Sequence, residues 1–96
     1  MRGMAIQTFQ CKDTQALYER SKCRRFAGIE AVARRKLEQL NMAGCLEDLR
    51  IPPGNRLEAL QGDRAGQHSI RINDQWRVCF VWQGADAHAV EIVDYH

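Results

Sequence analysis

The sequence predicts an α+β fold of two layers, an antiparallel sheet with two helices on one face, in the order β-α-α-β-β-β-β. Three observations predict it. Between residues 27 and 41 the apolar positions recur every third or fourth residue, the period of one buried helix face. From His68 onward the period shortens to two, as in strands. Between these regimes stands Arg50–Asn55 (RIPPGN), whose two prolines and glycine exclude both helix and central strand.

Each element follows from local chemistry. Ile6–Phe9 reads as a short opening strand, with Met1 or Met4 as the start of the chain. Asp13 or Thr14 is placed to cap a first helix over Thr14–Ser21, by accepting a bond from an otherwise unpaired first-turn amide. The basic run Lys22–Arg25 interrupts it. The second helix spans Ala27–Asn41, with Ile29, Val32, Ala33, Leu37 and Leu40 on one stripe. Glu30, Arg34 and Glu38 alternate in sign on the opposite face at i,i+4 spacing, and Asn41 and Gly44 end it. Leu57 and Leu60 mark a short strand, and residues 62–66 (GDRAG) make a turn. The next strand, His68–Ile72, sets His68, Ile70 and Ile72 against Ser69 and Arg71 on the other face. Asn73-Asp74-Gln75 turns the chain into Trp76–Gln83, which is apolar on both faces and so belongs mid-sheet. Residues 84–86 turn it once more, into a last strand over His88–Val93. Short connections make consecutive strands antiparallel neighbours, and the helices then segregate to one side.

Ninety-six residues suffice for one domain, residues 1–96. The 45% apolar and 27% charged residues are ordinary for a globular chain. No apolar stretch approaches the roughly 20 residues that span a bilayer, and the first ten residues lack a secretory signal pattern. A cytoplasmic protein without membrane contact is the expectation. The four cysteines have neither CxxC spacing nor interleaved histidines, so free thiols are expected, with Cys79 as buried filler. Charge is uneven. Residues 1–40 carry nine Lys/Arg against four Asp/Glu, while residues 41–96 carry five against eight.

No phosphate-cradling glycine loop, HExxH or GxSxG occurs. What remains is a polar set that this topology can gather: Arg77 on a central strand, pointing away from Trp76 and Phe80; Glu58 after PPGNRL; and Asp94, Tyr95 and His96 directly after the last strand. A strand arginine also serves as an ion-pair partner for a cross-strand carboxylate. Likewise, Asn55, Arg56, Asp63 and Arg64 have a second reading as turn chemistry, and His68 as a satisfied sheet residue.

The run LxxLxGDRxGxxSIRxNxxWRxxF from Leu57 to Phe80, joined to EIVDYH at residues 91–96, resembles the HigB toxins of the RelE/ParE superfamily, bacterial type II toxin–antitoxin proteins. The resemblance extends from IQTF to the terminal DYH. It implies a RelE-like fold, a small curved sheet backed by two helices, and a ribosome-dependent messenger-RNA endonuclease that needs neither metal nor cofactor. It also implies a helix-turn-helix antitoxin of the HigA type, through which alone the toxin meets operator DNA. Arg77, Asp94, Tyr95 and His96 match the site residues of such toxins. Glu58 stands where relatives have a histidine, in L-E-A-L against L-H-P-L. Either Glu58 takes over that acid–base role, or the terminal residues act alone.

Chemistry of this kind uses the RNA 2′-hydroxyl as nucleophile, with a base to take its proton and an acid to protonate the leaving 5′-oxygen. A fixed cation stabilises the phosphorane, a task suited to the forked guanidinium of Arg77. His96 titrates near neutrality, and its own α-carboxylate biases it toward the acid role. Tyr95 stacks on a base or donates a hydrogen bond, and Asp94 orients His96 or Arg77. Arg56, Arg64 and Arg71 surround the expected cleft; Lys22, Arg24 and Arg25 add a basic patch suited to phosphates or to an acidic antitoxin. Two other readings stay open: a ParE-like toxin that binds DNA gyrase, and a weakened toxin that acts mainly as co-repressor.

Overall fold

A computed structural model of the chain describes residues 4–21 and 23–94. The stripe of the second helix is buried as its spacing requires: Ala33, Leu37 and Leu40 are fully enclosed in α2 (Glu30–Met42). Around it the chain runs through α1 (Lys12–Tyr18), 3-10 turns at Leu46–Arg50, Pro53–Asn55 and Gly62–Arg64, and four strands. These are β1 (Glu58–Ala59), β2 (His68–Arg71), β3 (Trp76–Gln83) and β4 (Asp86–Asp94). The sheet order is β1-β2-β3-β4 with every neighbouring pair antiparallel, the layout that short connections demand.

The core lies between the helices and one sheet face. Ile70, Val78 and Ile92 form one fully buried row across three strands. Leu17, Phe26, Leu37 and Leu40 pack against it. Truncating an enclosed leucine such as Leu37 to alanine costs about 2–5 kcal/mol. Among the described residues no helix is long and apolar enough to cross a membrane.

Several local expectations change. The opening strand is not a member of the sheet: Ile6 and Phe9 make isolated parallel bridges to Ala87 and Val90 on the edge of β4. The reason is a bulge. Between the Cys79–Glu91 and Val81–His88 pairs, β4 carries one residue more than β3, and Ala89 there has φ +52°. A continuous ladder along that edge is thereby broken, and the Ala89 N–H donates to the Thr8 hydroxyl instead, at 2.8 Å.

Helix α1 starts at Lys12 rather than Thr14, with Cys11 at the N-cap position and no side-chain cap bond. Thr14 is fully buried instead, its hydroxyl accepting the Ile92 N–H at 2.9 Å, which ties α1 to β4. Helix α2 starts three residues later than expected. Its polar residues reach α1: Arg34 Nε donates to the Leu17 carbonyl at 2.8 Å, and the Tyr18 hydroxyl donates to Glu38. Asn41 does not end the helix; its Oδ1 accepts the Ile6 N–H. The proline-rich segment is not irregular throughout, because a proline fits the first position of a helical turn, and Pro53 opens one.

Candidate active site

The pleat of β3 sends Val78 and Phe80 to the core and Arg77 and Cys79 to the opposite side. There Arg77 stands directly across from Arg71 on β2 and Val93 on β4. It is only 7% exposed, so its charge must be met by fixed acceptors. Its Nε donates to Ser69 Oγ at 2.8 Å, and its Nη2 donates to the Arg56 carbonyl at 2.7 Å. Glu58 Oε1 lies 3.4 Å from the same Nη2. Glu58 is paired with Ser69, and Ser69 with Cys79, so the carboxylate reaches Arg77 across the intervening strand. The cross-strand ion pair and the candidate site are therefore the same group of residues.

Cys79 is fully buried on this polar face, not in the helix-covered core. Burial pushes its thiol pKa up; Arg64 and Arg77 pull it down, while Glu91 and Glu58 push it further up. Arg64 in turn donates to Glu91 and Gln67, both at 3.1 Å. Arg71 is bound to Asp74 of the hairpin loop. Arg56 adopts left-handed backbone, φ +47° and ψ 54°, which costs a residue with a side chain on the order of 1–3 kcal/mol and persists where surroundings over-determine it. Its carbonyl faces Arg77 while its side chain is exposed.

The remaining candidates divide. Asp94 stands across from Trp76, so it leaves the sheet on the side opposite Arg77, and it accepts from Gln75 Nε2 at 3.1 Å. It is not placed to orient Arg77 from the same face. Arg24 and Arg25 lie between α1 and α2, away from the Arg77 face. Arg25 sits 3.5 Å from Asp13 and 5.3 Å from the Phe26 ring centre, and Phe26 packs edge-on against Trp76. Lys22, Tyr95 and His96 lie outside the described residues. His68 is on the core side, stacked on Phe80, and its buried Nδ1 has no hydrogen-bond partner, so it is not the satisfied sheet residue expected.

Sequence reasoning overlooked Ser69, Asn55 and Lys36 as parts of one assembly. Alternation and hairpin register together place Ser69 diagonal to Arg77, which was the available signal. Asn55 and Lys36 had none: Lys36 Nζ donates to Asn55 Oδ1 at 2.6 Å across 19 residues of chain.

Similarity to known proteins bears on this geometry. A family model described as the RelE-like toxin of type II toxin–antitoxin system HigB matches residues 7–96. Toxin HigB-1 of Vibrio cholerae serotype O1 is 46% identical over 81 residues, 82% of this chain and 84% of the relative. The endoribonuclease HigB of Proteus vulgaris is 39% identical over 41 residues, 43% of this chain and 45% of its own length. Among solved structures, a YoeB/ParE toxin from Agrobacterium tumefaciens superimposes with a TM-score of 0.56 over 97% of this chain and all of its own, at 18% identity. At that identity the likeness speaks to fold.

Proposed function

Since the chain belongs to the HigB-like toxins of type II toxin–antitoxin systems, we propose that it arrests growth as a ribosome-dependent endonuclease of messenger RNA, without a metal ion or cofactor. The observation that carries this reading is Arg77. A guanidinium sunk in a sheet face and held by Ser69 and the Arg56 carbonyl is oriented before any substrate arrives, and pre-set charge is what stabilises a phosphorane most. Glu58 supports it, as a carboxylate that is half exposed yet within 3.4 Å of that cation.

In the proposed reaction the 2′-oxygen attacks the adjacent phosphorus and loses its proton to Glu58. The bond from phosphorus to the 5′-oxygen breaks, and His96 protonates that oxygen. A 2′,3′-cyclic phosphate and a 5′-hydroxyl result. Arg77 holds the non-bridging oxygens as charge gathers on them. Tyr95 stacks on a base next to the cleavage point, and Asp94 acts on His96. Arg56, Arg64 and Arg71 contact flanking phosphates, and Lys22, Arg24 and Arg25 contact RNA or ribosome from the helical side.

A type II toxin has an antitoxin partner; we assign a helix-turn-helix protein of the HigA type, and the cytoplasm as the place of action. The test is to map RNA 5′ ends after brief induction of the wild type, Arg77→Ala and His96→Ala, and to identify the 3′ product. Cyclic phosphate ends that vanish in both variants are the expected result. A 3′-hydroxyl product overturns the reaction scheme. Growth arrest that persists equally in both variants points to a gyrase-binding toxin, and no arrest by the wild type points to a co-repressor.

A further inference from the structure

The contacts that set the Arg77 guanidinium have unlike origins. Ser69 and Glu58 stand on hydrogen-bonded strands, so the ladder itself fixes them. The Arg56 carbonyl belongs to a loop residue in left-handed backbone, and no ladder holds it.

Asn55, one residue earlier, supplies the missing restraint. It is fully buried. Its Nδ2 faces the Leu49 carbonyl at 3.2 Å, Gln39 Oε1 at 3.1 Å and the Ile51 carbonyl at 3.5 Å. With two hydrogens for three acceptors, this amide ties Asn55 to the opposite limb of the loop, at Leu49 and Ile51, and to α2, at Gln39. Its Oδ1 accepts from Lys36 Nζ at 2.6 Å. Lys36 and Gln39 both project from α2, so the loop is fastened to the helix layer, while the Arg56 carbonyl, just before edge strand β1, accepts from Arg77 on the other face of the sheet. The Lys36 ammonium is held there although burial, Arg35 and Arg71 all lower its pKa below the ordinary value. The Asn55 oxygen, at 2.6 Å, is a direct protein acceptor for this partly buried cation.

We propose that Lys36 and Asn55 are positioning residues: they lock the 49–56 loop, so that the Arg56 carbonyl holds the Arg77 fork at the angle the reacting phosphate requires. This rests on the reading of Arg77 given above. Lys36 touches no substrate; it acts through Asn55, Arg56 and Arg77 in turn. Misplacement of a catalytic group by about 1 Å is enough to cost about a hundredfold in rate.

The test pairs Lys36→Met, which keeps the aliphatic stem, with Lys36→Arg, which restores a charged donor. Cleavage of messenger RNA on programmed ribosomes is followed in single turnover against toxin concentration. Lys36→Met is expected to lower the maximal rate about tenfold while half-saturation stays within about twofold, and Lys36→Arg to recover most of the loss. In nitrogen-15 spectra, the Arg77 Nε–H signal should shift and exchange faster with water in Lys36→Met and return in Lys36→Arg. If Lys36→Met does not fold, as judged by circular dichroism, Lys36→Gln takes its place with the same expectations.

An Arg77 signal identical to that of the wild type overturns the proposal. So does a Lys36→Met defect confined to half-saturation and relieved by low salt, because Lys36 would then be a phosphate contact beside Arg71. Arg77→Ala separates the two claims. If it cleaves at the wild-type rate, the catalytic reading fails even where the Arg77 signal moves. If it is inactive and the signal does not move in Lys36→Met, only the positioning role fails.

Discussion

An Arg77→Ala variant removes the donors that reach Ser69 Oγ and the Arg56 carbonyl, together with the cation beside Glu58. Hydrogen bonds from a charged group contribute about 1.5–3 kcal/mol each. Against that loss stands the relief of no longer burying a cation, and Glu58, already half exposed, returns to water. A net destabilisation of about 2–3 kcal/mol follows, which lowers the melting temperature by roughly 8–24 °C in a domain of this size. Domains hold about 5–15 kcal/mol in reserve, so at least about 2 kcal/mol remains and only a few per cent of molecules are unfolded at 25 °C. Catalytically the expected loss is far larger, about 10²–10³-fold, the cost of removing a pre-set donor to developing negative charge. Unfolding of a few per cent cannot imitate a hundredfold fall. The assay is cleavage of messenger RNA on programmed ribosomes at 25 °C, with a thermal melt of the same sample. Cleavage within about threefold of the wild type by a folded Arg77→Ala protein is far short of that loss and refutes the role of the guanidinium.

Other expectations can be checked alongside. Because burial raises the Cys79 thiol pKa, its thiolate form is scarcer in the folded chain than in the unfolded chain at any pH near neutrality. A thiol reagent at pH 7–8 should therefore modify exposed Cys45 at least about tenfold faster than Cys79, until denaturant is added. Thr14→Val removes the acceptor of the Ile92 N–H and should destabilise the fold by about 1–3 kcal/mol in urea titrations. At temperatures where it is folded, its cleavage rate should match the wild type. Arg56→Ala and Arg71→Ala should each weaken RNA binding at low salt and reduce the slope of log affinity against log salt by about one. An unchanged slope removes that residue from the phosphate contacts.

Much of the layer architecture was legible because periodicity encodes faces. The stripe from Ile29 to Leu40 had to bury itself against a sheet or another helix, and the alternation of Trp76–Phe80 separated Val78 from Arg77. Boundaries were less legible where long-range partners competed. Thr14 looks like a cap in sequence, yet its hydroxyl is claimed by Ile92, 78 residues away. The opening strand is interrupted because the bulge at Ala89 arises from pairing between β3 and β4, to which residues 6–9 contribute nothing.

The same division holds at the site. Sequence alone determined that an arginine occupies a central strand on the side away from Trp76 and Phe80, and that an acidic residue follows the proline-rich segment, because residue type and alternation are local properties. Only the tertiary structure decided what holds that arginine. Ser69, the Arg56 carbonyl and the Lys36–Asn55 clamp lie 8, 21 and 19 residues apart in their respective pairs. Strand register and loop closure bring such groups together, and both are set by the free energy of the whole packed chain rather than by any window of it.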